Sequence, residues 1–162
     1  MSVVGAKIAK SLFLSIVVLF MIGNNAFGAE VQHQLSYLEL GVTKSLFFRP
    51  GIGYWWNRTG VRIFGIYLNN DLHEFQFDFG YAFYDTVKLQ QSINFVTCWV
   101  VGSDPGADYR YGATGFSYSI NYRGIFFEIG LVKPWRDDIG NLEHDFVIPC
   151  MNWGYVYRFL PK

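Results

Sequence analysis

The chain has little that could staple a small domain from within, since its 162 residues include only two cysteines, Cys98 and Cys150. Two are too few for a disulfide framework, and their spacing is not that of zinc ligands. Charge is sparse as well: 16% of residues are charged, where typical globular domains carry about a quarter. The 13 basic and 13 acidic groups balance to a formal charge of +0. Lys7 and Lys10 fall in the opening segment, so the rest of the chain is slightly acidic. No basic patch or stripe of the kind that nucleic-acid binding needs is present. After one early run, no segment stays apolar for the roughly 20 residues of a spanning helix, so any membrane crossing falls to strands. No motif calls for a cofactor or a metal ion.

What the sequence does have is rings. Aromatic residues make up 20% of the chain, and that surplus needs an apolar surface to sit against. The N-terminus shows Lys7 and Lys10, then an apolar run over 12–22, then Ala26, Gly28 and Ala29 before Glu30. This order matches a secretory signal peptide, and the run is too short to span a bilayer. The expectation is a leader over residues 1–29, cleaved near Gly28 or Ala29, with a retained N-terminal anchor as the alternative. Residues 30–162 are then one domain.

The clearest pattern lies between Glu74 and Tyr84. Phe75, Phe77, Phe79, Tyr81 and Phe83 hold one parity, and Glu74, Gln76, Asp78, Gly80 and Ala82 hold the other. In a strand, successive side chains point to opposite faces, so all five rings project one way. The same two-faced alternation recurs over 36–43, 92–101, 114–122, 125–133 and 148–159, and Ile52, Tyr54 and Trp56 share a face. Residues 61–68 form a further strand of ambiguous facing, in which Arg62, Phe64 and Ile66 oppose Val61, Ile63 and Tyr67. Turns are expected at 44–47, 57–60, 69–71 and at Arg123-Gly124, a polar connector at 85–91, and longer polar loops at 102–112 and 134–145. Pro50 and Gly51 disturb the start of the second strand.

Eight strands result, an even count as single-chain bacterial barrels require. Placing the N-terminus in the periplasm puts the two longest loops outside and leaves two of the three periplasmic connections tight, the asymmetry of such barrels. Closure would also remove any unpaired edge from hydrocarbon. The fold expected is all-β, an antiparallel up-and-down transmembrane β-barrel. In its leader, its patterning and its terminal aromatic strand the chain resembles the small outer-membrane barrel family typified by the transmembrane domain of outer membrane protein A, outer membrane protein X and the opacity proteins. The resemblance implies a Gram-negative outer-membrane location, contact with outer-membrane lipids, and passage through the export and barrel-assembly machineries. Members of the family commonly end on an aromatic residue that the assembly machinery recognises. Here Phe159 is followed by Leu160, Pro161 and Lys162, which displaces that signal from the end.

In this register Phe75, Phe77, Phe79, Tyr81, Phe83, Phe116, Tyr118, Phe127, Tyr155, Tyr157 and Phe159 face lipid. Glu39, Arg62, Glu74, Asp78, Glu128 and Arg158 form a charge network in the lumen, with Gln76, Asn94, Ser117, Ser119, Asn121 and Asn152 around it. A barrel this narrow is filled by its own side chains, and buried charges must be paired. Arg62 and Arg158 are expected to neutralise some of the four carboxylates, and the alternative is a small polar conduit or ligand site. Trp55, Trp56, Trp99, Trp135 and Trp153 are assigned to interfacial girdles. Cys98 and Cys150 point inward from non-adjacent strands and are taken as free thiols.

Three functions follow. The first is a non-enzymatic, monomeric envelope barrel with a plugged lumen, acting structurally or offering its external loops to a ligand or surface partner. The second is a lipid-modifying enzyme, a lipid A acyl hydrolase or acyltransferase, using His73, His144 and Asp145 at the outer rim. The third is a soluble lipocalin-like barrel, whose cavity would need the aromatic parity inside.

Overall fold

Where the alternation changes sign, the chain turns, and eight strands account for all the regular structure among the described residues, which are 36–69, 71–104, 107–137 and 147–160 of a computed structural model. They are β1 (Ser36–Lys44), β2 (Phe48–Trp56), β3 (Thr59–Asn69), β4 (Leu72–Asp85), β5 (Leu89–Asp104), β6 (Ala107–Tyr122), β7 (Ile125–Asp137) and β8 (Ile148–Phe159). Each pairs antiparallel with its neighbours in sequence, and β8 returns to β1 to close the barrel. The seam runs from Leu38 opposite Phe159 to Lys44 opposite Trp153. The expected leader lies outside the described residues, as do His144 and Asp145.

Turn chemistry sets the register at one end. Arg123 (φ 52°) and Gly124 (φ 95°) both take the left-handed conformation, the two-residue hairpin whose twist matches that of its strands. Asn121 accepts a hydrogen bond from the Gly124 N–H at 2.9 Å and donates to the Val156 carbonyl at 2.9 Å, tying this turn to β8. In the β2–β3 turn Asn57 (φ 54°) takes the left-handed conformation.

Four boundaries differ from expectation, for related reasons. The polar connector shrinks to residues 86–88, because Asp85, Gln90 and Gln91 lie on the strands and are buried. The loop expected at 102–112 is instead ladder: β5 and β6 stay paired out to Asp104 opposite Ala107. β7 continues through Pro134 to Asp137. β2 begins at Phe48, and Pro50 stands where that strand pairs with β1 alone. In all four places Gly, Pro and polar residues mimic loop composition, yet an inward-facing wall of a barrel is polar by design and the ladder itself asks nothing of the side chains.

The parity is resolved on every strand. Phe75, Phe77, Phe79 and Tyr81 are exposed on the outside while Glu74, Gln76 and Asp78 are buried. On β3, the register left open by the sequence places Arg62 and Phe64 inside, with Arg62 opposite Asp78 and Ile63 opposite Phe77. The interior is therefore mainly polar. Its apolar content includes three small clusters, Phe64 with Phe126 and Val156, Tyr37 with Trp55 and Ala82, and Cys98 with Ala113 and Val132, besides single buried residues such as Val96 and Val100.

Candidate functional site

The lumen carries the chemistry of this chain, and it is arranged in tiers. At the end of the short turns, Tyr37 on β1 donates to Asp85 Oδ2 at 3.0 Å, and Gln90 on β5 donates to the Tyr37 hydroxyl. Arg158 on β8 reaches across to Asp85 Oδ1 at 2.9 Å and to the Val87 carbonyl at 2.9 Å. A single ion pair thereby joins β8 to β4 on the far wall and holds the β4–β5 turn.

The next tier is built on Arg62. Its Nε donates to Glu39 Oε2 at 2.6 Å, and its Nη2 donates to Glu39 Oε1 at 3.3 Å and to Gln90 Oε1 at 2.6 Å. Its Nη1 donates to Ser119 Oγ at 3.2 Å, on the opposite side of the barrel. The guanidinium lies between the rings of Trp55 and Phe126, at 4.7 and 5.2 Å from their centroids. The planar fork suits both the bidentate carboxylate and the stacked rings, which a lysine could not satisfy. Gly53 leaves room for the pair, since a Cβ there would come within 2.8 Å of Glu39 Oε2.

Beyond it, Glu128 on β7 accepts four bonds from uncharged groups: Asn94 and Ser117 on Oε1, Gln76 and Asn152 on Oε2. Gln76 Nε2 also donates to Asp78 Oδ1 at 2.7 Å, so one amide bridges two carboxylates. Asp78 Oδ2 has no partner among the described residues. Toward the long hairpins, Arg49 on β2 donates to Glu74 at 3.0 Å, to Gln76 at 3.2 Å and to Asn152 at 2.7 Å. Ser45 and the Phe47 N–H also donate to Glu74, which draws the β1–β2 turn over the wall. Above this tier a cavity of about 300 Å³ is lined by Ser45, Glu74, Gln76, Tyr111, Cys98 and Cys150, among others.

All six charged residues expected in the lumen lie there and are buried: Glu39, Arg62, Glu74, Asp78, Glu128 and Arg158. Their pairing differs in part from expectation. Arg62 takes Glu39, but Arg158 takes Asp85, a residue assigned to a connector, because β4 runs one residue past the aromatic stretch. Arg49, the partner of Glu74, went unrecognised because Pro50 and Gly51 obscured the strand; its parity with Gly53 and Trp55 was the available signal. Trp55 is corrected more sharply. It is fully buried in the lumen and donates to Glu39 at 2.9 Å, whereas Trp56, Trp135 and Trp153 are exposed on the outer wall. A Cβ on Gly80 would meet the Trp55 ring at 2.8 Å, so this glycine makes space for the indole.

Phe116, Phe127, Tyr155, Tyr157 and Phe159 are exposed on the outer wall, and Phe83 and Tyr118 stand there half-buried, stacked at 6.2 Å. Cys98 and Cys150 are free thiols. His73 sits at the long-hairpin rim with Nδ1 at 3.3 Å from the Asn69 carbonyl and its ring beside Tyr67 and Phe75. No nucleophile is placed against it among the described contacts, and no cluster of metal-ligating side chains is found among the described residues. Compared with family models, curated proteins and solved structures, the chain gives no match.

Proposed function

We propose that this chain is an integral barrel of the bacterial outer membrane, of the small eight-stranded kind, exported by its leader, folded by the barrel-assembly machinery and acting as a monomer. Its lumen is a plug, and its role is structural or lies in presenting the long β5–β6 hairpin and the β7–β8 connection to external partners.

The observation that carries this reading is the inverted distribution of polarity. Leu40, Ile52, Phe77, Phe95, Phe116, Leu131 and Tyr157 are between 41% and 66% exposed, while Glu39, Arg49, Arg62, Asp78 and Glu128 are at most 1% exposed. Water-soluble monomers rarely expose contiguous apolar patches beyond a few hundred Å², and here the apolar wall continues around all eight strands. In hydrocarbon the same wall is the stable arrangement. The Arg158–Asp85 ion pair crossing the lumen from β8 to β4 and the Arg62–Ser119 hydrogen bond from β3 to β6 favour a plug over a conduit. The lipocalin-like alternative needs its rings inside, and they are outside. The enzyme alternative rests on His73, His144 and Asp145, of which only His73 is among the described residues.

Cell fractionation joined to gel migration tests the reading. The protein is expected in the outer-membrane fraction, with a heat-modifiable band that requires detergent or lipid to form. Recovery as a detergent-free soluble periplasmic protein would overturn it.

A further inference from the structure

The lumen holds more negative charge than positive. Among the described side chains, five carboxylates and three arginines are buried. Arg49 is paired with Glu74, Arg62 with Glu39 and Arg158 with Asp85, which leaves Asp78 and Glu128 without a cation. These two are also joined to each other. The Gln76 side-chain amide donates one hydrogen bond to Asp78 Oδ1 at 2.7 Å and one to Glu128 Oε2 at 2.9 Å.

Their surroundings differ. Glu128 accepts four hydrogen bonds, shared between its two oxygens, an arrangement that suits an anion. Asp78 accepts one, and its Oδ2 has no partner among the described residues although the residue is only 1% exposed. The charged groups nearby are engaged elsewhere. Arg62 of β3 stands opposite Asp78 in the ladder, but its guanidinium is bonded to Glu39 of β1, Gln90 and Ser119. Arg49 of β2 is turned to Glu74, Gln76 and Asn152. From the remaining walls β5 sets Val96 against Asp78, β6 brings the uncharged Ser117 to Glu128, and β8 brings Asn152 to it. Arg136 of β7 lies eight residues beyond Glu128, about 26 Å along an extended strand.

We propose that the folded barrel binds one proton at Asp78, held there as the neutral acid beside an ionised Glu128, so that the plug takes up a proton as it closes. Two carboxyl groups that share a buried site retain a proton between them because both cannot be charged at once. An isolated buried carboxylate is costly enough that such a group neutralises instead. The proton settles on the group with fewer donors, which is Asp78. A metal ion would need several oxygen ligands, yet both Glu128 oxygens are already bonded, and no cluster of three or more metal-ligating side chains is found among the described residues. The inference needs the filled lumen and holds in any medium in which the barrel folds.

The test uses the full mature barrel folded in detergent micelles, with infrared spectroscopy at neutral pH and urea unfolding across pH. Wild type is expected to show the C=O stretch of a protonated carboxyl group. Isotope-labelled aspartate should shift that band, labelled glutamate should not, and Asp78→Asn should abolish it. The unfolded chain has its carboxylates ionised above about pH 5 and its thiols neutral below about pH 8. Between those limits folding takes up the Asp78 proton, and wild-type stability should fall as pH rises. The folding constant of wild type should drop by about tenfold per pH unit relative to Asp78→Asn, the slope of one bound proton. Absence of the band from the folded wild type, a band that follows labelled glutamate, or the same pH slope in both proteins would overturn the inference. Stability that depends on which alkali cation is present, with no protonated-carboxyl band, would overturn it in favour of a bound metal ion.

Discussion

Arg62 and Ile63 are consecutive on β3, and one turns into the lumen while the other turns away from it. Arg62 makes four hydrogen bonds to three residues and stacks between two rings, and it is 1% exposed. Ile63 is 49% exposed and sits beside Phe77 across the ladder. The inner wall is a matter of specific partners, because each buried polar group costs free energy unless its bond is made. The outer wall is a matter of chemical class, satisfied by any side chain of suitable polarity. Substitutions should therefore act on the two walls in different ways.

The largest effect is expected inside. Arg62→Met leaves Glu39 buried without its cation and should destabilise the barrel by about 3–5 kcal/mol, read from urea unfolding in micelles or vesicles. Glu39→Gln combined with Arg62→Met should recover much of that loss, since it removes the stranded charge. Next comes a change of class outside. Phe116→Arg, at a position 66% exposed, should cost about 2–4 kcal/mol in vesicles if the site lies near the bilayer midplane. A comparable tolerance of arginine there and of leucine would break the contrast between the walls. Trp55→Phe keeps the ring and removes the bond to Glu39, and should cost about 1.5–3 kcal/mol by the same assay. The smallest effect belongs to a change within class: Phe77→Leu should shift stability by no more than about 0.5 kcal/mol.

The outer wall was the legible one. A period of two in Phe75 through Phe83 and in Met151 through Phe159 is a signal that few other structures generate, and the closed eight-strand barrel followed from it. The inner wall was legible only where polar residues alternate with rings. Arg49 was missed beside Pro50, and Asp85 and Gln90 were assigned to a connector, because at strand ends the inward parity has no ring between its members to mark it. Trp55 shows the converse. An aromatic residue beside another, Trp56, cannot be assigned to a face by composition, and it was Gly60 on the neighbouring β3 and Gly80 on β4 that left room for Trp55 inside. Pairing was less legible still, because Arg158 meets Asp85 across the lumen and not along a ladder.

The separation of the walls is tested most directly by tryptophan fluorescence in vesicles containing brominated acyl chains. Two single-tryptophan proteins are compared, one retaining only Trp55 and the other carrying only Phe77→Trp, with the remaining tryptophans replaced by phenylalanine. The Phe77→Trp emission should be strongly quenched by bromine while Trp55, enclosed in the lumen beside Glu39 and Arg62, should be nearly unaffected. Equal quenching of the two, or the absence of bromine quenching at position 77 in a folded barrel, would contradict the account.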